Sequence, residues 1–174
     1  MQDKHLVFRR ATLADTNLLA VFGAHAFKEA FGAQNKPDDM AAYLAEHFSP
    51  TQIQNEIEDP RSIFLLAYLD SRLAGYARLF ASEPPAAVQG DRSIELVRIY
   101  VDPEFIGRGY GSALMQTCLD TARSEGFRTI WLGVWQHNQR ALDFYFRWGF
   151  RTAGVKPFVL GDDVQQDLIL EFSL

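Results

Sequence analysis

At 174 residues the chain is long enough for one full hydrophobic core, and fourteen phenylalanines, six tyrosines and three tryptophans supply material for it. Acids outnumber lysine plus arginine by 22 to 17; the net charge of -5 argues against nucleic acid as a partner and for a cationic small molecule, although a charge of that size also simply keeps a protein dissolved. One cysteine, Cys118, excludes an internal disulfide, and no apolar run reaches the roughly 20 residues of a membrane span.

The opening stretch "MQDKHLVFRRATLAD" has no apolar core long enough for a signal peptide, so a cytoplasmic location is expected. Residues 6–12 read as a strand. Residues 12–31 read as a helix, with Thr12 or Asp15 as caps and Leu18, Leu19, Phe22, Ala26 and Phe27 at helical spacing. A second helix over 35–48 opens on Pro-Asp, and a shorter third ends before Pro60. Strands at 63–68 and 73–80, joined by "LDSR", predict a hairpin. "SEPPAAVQGDR" is a loop, and "SIELVRIYV" is a strand rich in β-branched and aromatic residues. Beyond a glycine-rich loop, a helix carries Leu114, Cys118 and Ala122 on one stripe, with Met115 and Leu119 beside it, and stops at Gly126. A strand over 127–135, a short helix capped by Asn138 and ended by Gly149, and two closing strands complete the order. This order predicts one α/β (α+β) domain over 1–174, whose mixed sheet has antiparallel hairpins and a parallel pair bridged by a helix.

The loop "FIGRGYGSALM", 105–115, sets Gly107, Gly109 and Gly111 around Arg108 at the mouth of a helix. The first amides of a helix have no partner inside it, and that end carries about half a positive charge. Together they favour a phosphate or diphosphate, which glycines allow to approach the backbone and Arg108 could contact. Neither the G-x-x-x-x-G-K-[ST] loop nor the G-x-G-x-x-G fingerprint is present. A tight strand-to-helix turn without a ligand is the alternative.

"VDPEFIGRGYGSALM" resembles the acyl-CoA signature of the GNAT N-acetyltransferases, and "NQRALDFYFRWGF" resembles that family's second motif. "NKPDDMAAYLAEHFS", "IWLGVW" and "GDDVQQDLIL" are similar to segments of the bacterial PaiA-type spermidine/spermine N-acetyltransferases. The resemblance implies a mostly antiparallel GNAT sheet of about six to seven strands, with acetyl-CoA as cosubstrate and no metal. It implies a strand edge at Ile99, Tyr100 and Val101 for the pantetheine arm, and a diphosphate cradle at Gly107, Arg108, Gly109, Tyr110, Gly111 and Ser112. Asn138 would hydrogen-bond the pantetheine or act as a plain helix cap; Arg147 would meet a CoA phosphate or stand solvated. The family's Gln or Arg at the head of the loop is Ile106 here, which removes a side-chain contribution and leaves the amides.

By the same resemblance, Glu95 and Tyr145 are the catalytic candidates. Tyr145 faces the leaving thiol, or is an ordinary core aromatic; a phenol near pKa 10 suits a hydrogen bond to a departing thiolate near 8.5 better than full proton transfer. Glu95 occupies the general-base position, or is a strand-edge acid without duty. An ordinary glutamate is roughly six pKa units more acidic than a primary ammonium, which favours orienting a water or holding the ammonium over direct abstraction. The oxyanion is expected to meet a strand N–H near Ile99.

Other residues carry less. Cys118 lies on the apolar stripe and reads as a buried hydrophobe. His5, His25, His47 and His137 show no metal spacing. Trp131 and Trp135 share one strand face and read as core. Phe27, Glu29 and Phe31 are expected on the wall opposite the acetyl group, and Glu29 or Asp39 could attract a polyamine, though solvation is the default. The expected activity is acetylation of a primary amine, spermidine or spermine first. A peptide N-terminus, a lysine or an aminoglycoside-like amine is the second reading, and a non-catalytic acyl-CoA sensor the third. The expected partner is a small-molecule amine, with a homodimer as the one self-association considered, and neither nucleic acid nor a membrane.

Overall fold

The computed structural model describes residues 6–174. Seven strands form one sheet: β1 (Leu6–Arg10), β2 (Ser62–Leu69), β3 (Arg72–Phe80), β4 (Ser93–Val101), β5 (Thr129–Trp135), β6 (Arg151–Leu160) and β7 (Asp163–Ser173), in the order β1-β2-β3-β4-β5-β7-β6. Every neighbouring pair is antiparallel except β4 and β5, which run parallel because a helix carries the chain back between them. This is the mixed, mostly antiparallel sheet that the order of elements and the family resemblance predict.

Helices α1 (Thr16–Phe31), α2 (Pro37–His47) and α3 (Pro50–Glu58) cover one face; α4 (Tyr110–Ser124) and α5 (Gln139–Arg147) cover the other. Strand β2 is therefore buried on both sides, which is why "SIFLLAYL" lacks polar alternation. Ile63, Leu65 and Ala67 turn to Leu114, Met115, Cys118 and Leu119 of α4, while Phe64 and Leu66 turn to Leu19, Phe27 and Ile53 of α1 and α3. Burying one such aliphatic side chain contributes about 1.5–3 kcal/mol. Local signals start the helices: Pro37 and Pro50 stand in the first turns of α2 and α3, and Ser49 Oγ accepts from Gln52 N at 3.2 Å. The first helix starts later than predicted. Residues 13–15 form a 3-10 turn, where the Asp15 carboxylate accepts from Thr12 N and from Arg9 of β1.

Two features open the sheet at its centre. Strands β4 and β5 pair only over Ser93–Glu95 and Thr129–Trp131. On its other edge β4 stays bonded to β3 as far as Val101, and β5 stays bonded to β7 as far as Trp135. Between Leu96 and Arg98 the β3–β4 register slips by one residue, which leaves Val97 as a bulge. A bulge bends and twists its strand. Beyond Glu95, then, β4 and β5 diverge, and β4 presents a free backbone edge over 96–101.

Candidate functional site

The free edge of β4 runs straight into the glycine loop. Asp102 caps a 3-10 turn at Pro103–Phe105, and α4 begins at Tyr110. Gly107 and Gly109 take φ of +79° and +87°, where a side chain is strained, and a Cβ at either would meet nothing within 4 Å. These glycines serve backbone conformation and access, not packing. Gly111 is different: inside the first turn of α4, its Cβ position lies 3.6 Å from Val101 and 3.9 Å from Phe144.

The amides divide in two. Ile106 N donates to Pro103 O at 3.4 Å, and Arg108 N to Phe105 O at 3.3 Å. The amides of Gly107, Gly109, Tyr110, Gly111 and Ser112 find no acceptor among the described residues; the first α4 amide with one is Ala113, bonded to Gly109 O at 3.0 Å. Five unpaired donors thus cluster at the positive end of a fifteen-residue helix. The Arg108 side chain is exposed beside them and lines a shallow cavity of about 410 Å³ with Arg72 and Phe105. Ile106 is exposed at the head of the loop.

On the α4–α5 face, Ile99 packs at the rim of the core that holds Tyr145, Leu142 and Cys118. Tyr145 is 9% exposed and set edge-on to Phe144 and Phe150, at 5.5 and 5.6 Å between ring centroids. Burial, with a smaller contribution from Cys118, raises its phenol well above the usual value, so it stays protonated at neutral pH. Burial likewise pushes the Cys118 thiol up to about 12, the behaviour of an inert core residue. Asn138 caps α5, its Oδ1 accepting from Ala141 N at 3.2 Å. Arg147 ends α5, exposed.

The two catalytic candidates lie on opposite faces of the sheet. Glu95 pairs in register with Phe80 and Trp131, turns toward α1–α3, and accepts from Ser82 Oγ at 3.0 Å. Tyr145 lies under α4–α5. The gap between β4 and β5 opens between the two sides, next to Glu95, the last β4 residue paired with β5.

The α1–α3 face also holds charges that the sequence reading did not single out. Glu56 of α3 pairs with Arg98 of β4 at 2.5 and 3.0 Å and with Arg78 of β3 at 3.3 Å, all three buried. Arg98 lies over the Phe48 ring, and Arg78 over Phe64 and Phe80. Their signal was visible: both arginines fall at inward positions of apolar strands, "GYARLF" and "ELVRIY", in the side-chain register of Tyr76 and Tyr100. Further along, Asp167 of β7 is buried opposite Lys156 of β6. Phe27 and Phe31 lie on this face, with Phe31 edge-on to Trp135 at 6.3 Å and the buried Phe27 stacked on Tyr43 at 4.7 Å. Glu29 is exposed, and the Asp39 carboxylate lies against the Gly161 turn. Trp131 is core, packed on Val88 and Ile169, whereas Trp135 remains half-buried.

Among the described residues no three His, Cys, Asp or Glu side chains converge as a metal site, and no helix is long and apolar enough to cross a membrane. His5 lies outside the described residues.

Comparison with known proteins agrees with this geometry. A protein of Lactobacillus delbrueckii named an uncharacterised N-acetyltransferase is 34% identical over 148 residues, 85% of this chain and 86% of the relative. A spermidine N(1)-acetyltransferase of Thermoplasma acidophilum is 24% identical over 148 residues, 83% of this chain and 87% of that one. The crystal structure of the PaiA N-acetyltransferase of the same organism, in complex with coenzyme A, superposes with a TM-score of 0.79 at 21% identity, over 98% of this chain and 99% of that one. Residues 25–150 match the acetyltransferase (GNAT) family, and with a splayed parallel pair in a seven-stranded sheet and a glycine-rich turn into the following helix, this chain belongs to that family of N-acetyltransferases.

Proposed function

We propose that this N-acetyltransferase transfers an acetyl group from acetyl-CoA to a primary amine of a polyamine, spermidine or spermine, within a ternary complex. The observation that carries the reading is the continuity of two sets of unpaired backbone groups: the edge of β4 over 96–101 and the five free amides at the start of α4. An extended amide-bearing arm ending in a diphosphate is complementary to that pair of surfaces. Acetyl-CoA has this form, and it supplies the activated thioester. Ile99, Tyr100 and Val101 bond the arm as an added strand would. Gly107, Gly109, Tyr110, Gly111 and Ser112 hold the diphosphate through backbone N–H groups, and Arg108 adds charge from the side. Asn138 offers its side-chain amide from the opposite wall while its Oδ1 caps α5. Arg147 meets a peripheral phosphate.

In the gap, Tyr145 donates a hydrogen bond to the sulfur as it leaves. Its raised phenol pKa makes it a donor and disfavours its ionisation, which fits stabilisation of a thiolate better than outright proton transfer. A β4 N–H near Ile99 stabilises the carbonyl oxygen. From the other face, Glu95 orients a water or holds the incoming ammonium. The polyamine assignment is supported by the acidic balance of the chain, by carboxylates on the α1–α3 face and by the distant spermidine acetyltransferase relative. A cytoplasmic enzyme of this kind would meet its acceptor as a free small molecule.

Thiol release with acetyl-CoA, measured across spermidine, spermine, lysine peptides, peptide N-termini and aminoglycosides, tests the reading. Turnover highest on the linear polyamines is expected. Preference for a peptide amine would reassign the acceptor, and no release with any amine, despite tight acetyl-CoA binding, would mark a sensor.

A further inference from the structure

One buried carboxylate beside the gap has no part in the scheme above. Asp167 is 8% exposed, and its carboxylate makes no hydrogen bond or ion pair among the described residues. It stands on β7 in register with Trp135 of β5 on one side and Lys156 of β6 on the other. On the same face of β5, Gly133 stands opposite Ile169, two residues past Trp131, the last β5 residue paired with β4. A Cβ at Gly133 would lie 2.5 Å from Lys156 Cε, 2.9 Å from Lys156 Nζ and 3.2 Å from Asp167 Oδ2. The absent side chain lets both charged ends lie across β5, at the level where β5 parts from β4.

The surroundings suit a cation. Tyr43 of α2 is close enough to Asp167 for that charge to help raise its phenol, and its ring meets Phe158 of β6 edge-on at 5.8 Å. Trp135 stands half-buried beside Phe31. Aromatic faces around a buried carboxylate attract an ammonium by both the ring quadrupole and the charge. Glu95 lies on the same face one strand to the other side of β5, so acids flank the gap on both sides, an arrangement complementary to a molecule with several ammonium groups.

We propose that Asp167 receives the acceptor ammonium beside the gap and accepts the proton it must lose, with Lys156 as a neighbouring cation that favours its charged form without pairing with it. The assignment rests on the β4–β5 slot for acetyl-CoA proposed above. The N–H bond of the ammonium breaks and the proton moves to a carboxylate oxygen of Asp167. The freed nitrogen lone pair forms the new C–N bond as the C–S bond breaks, one further N–H proton passes to the departing sulfur, and Asp167 returns its proton to solvent. Burial supports the role by pushing the Asp167 carboxyl up to about 6, against the lowering effect of Lys156. That leaves it about four units below a primary ammonium, where an ordinary aspartate lies more than six below. The groups facing it are Lys156 from β6 and Tyr43 from α2; β5 contributes only Gly133 and Trp135, which do not titrate.

The test uses the full chain with spermidine as acceptor and two variants, Asp167→Asn and Lys156→Met. The Asn variant is expected to bind acetyl-CoA within about twofold of the parent in calorimetry, while kcat/KM for spermidine falls by about 100-fold. The parent profile should steepen below about pH 6 as Asp167 protonates, and this limb should vanish in the Asn variant. In Lys156→Met the limb should move to higher pH, because the cation that favours the carboxylate is gone. Parent-like kcat/KM and pH profile in Asp167→Asn would overturn the assignment; if that variant does not fold, an unmoved limb in Lys156→Met would do so. Absence of acetyl-CoA binding by the parent would overturn the slot itself, a failure separable from the other two by the calorimetry.

Discussion

Tyr145 and Glu95 lie on opposite faces of the sheet, and the roles proposed for them differ as their environments do. Tyr145 is walled in by Phe144, Phe150 and the α4 stripe, which removes water from around its hydroxyl and raises its pKa. A hydrogen bond given in a dry site contributes to the transition state far more than to the bound ground state. Tyr145→Phe is therefore expected to lower kcat by about 10- to 100-fold and leave acetyl-CoA affinity within about twofold; steady-state kinetics beside calorimetry separate the two effects. Glu95 keeps a neutral partner, Ser82, which fixes its carboxylate without neutralising it. Replacing it by Gln preserves the shape and the Ser82 contact but removes the charge. A loss in kcat/KM for spermidine of about tenfold or more, with an unchanged melting temperature, is expected; unchanged kinetics would restrict Glu95 to a structural role.

At the scale of elements, the glycine loop and the first turn before α1 show how local chemistry fixes a boundary. Gly109 is the residue before α4 and sits in the left-handed region. Gly109→Ala meets no steric neighbour there, so its cost is conformational, about 1 kcal/mol, with the strain tending to re-aim the amides that follow. Acetyl-CoA affinity measured by calorimetry is expected to fall about tenfold or more, and retention of parent affinity would show that the amide cradle tolerates the change. Asp15 draws the chain into its turn through Arg9 and Thr12. Its carboxyl is lowered to about 2, first by the Arg9 hydrogen bond, against the opposing effect of burial. A carboxyl whose folded pKa lies below its unfolded value stabilises the fold above about pH 4 and loses that contribution as pH falls toward 2. Because Arg9 is half-exposed, Arg9→Ala should cost about 1 kcal/mol at neutral pH and flatten the stability loss between about pH 4 and 2, read by urea titration at each pH.

For the molecule as a whole, the joint between the first helices and the sheet rests on an ion cluster as well as on apolar packing. Glu56 carries two buried arginines, Arg78 and Arg98, from adjacent strands. Removing Glu56 leaves Arg98 without its paired carboxylate and Arg78 with only the charges of Glu95 and Asp59 in reach, the costly case for such a cluster. Glu56→Gln is expected to destabilise the fold by about 3–5 kcal/mol in denaturant titration. A loss below about 1 kcal/mol would mean that water or a shifted carboxylate compensates. The cluster lies on the same face as Glu95, so the α1–α3 side of the sheet is built on charged as well as aromatic contacts.

The sequence by itself determined most of the elements and the glycine-bearing turn into α4. Strand "SIELVRIYV", the alternating glycines of "FIGRGYGS", the helical stripe of Leu114, Cys118 and Ala122, and Asn138 as a cap are local statements, because hydrogen bonding, φ and helical spacing are set within a few residues along the chain. Even the parallel pair was legible, since a helix between two strands brings the chain back in the same direction. Three things were decided only by the tertiary structure. The bulge at Val97 and the early parting of β4 from β5 depend on register between strands. The burial of Arg78 and Arg98 depends on a helix some 20 to 40 residues away supplying Glu56. Asp167 became a candidate only when Gly133 and Lys156 came beside it, since charge placement across a sheet is a property of neighbouring strands and leaves no periodicity in any one of them.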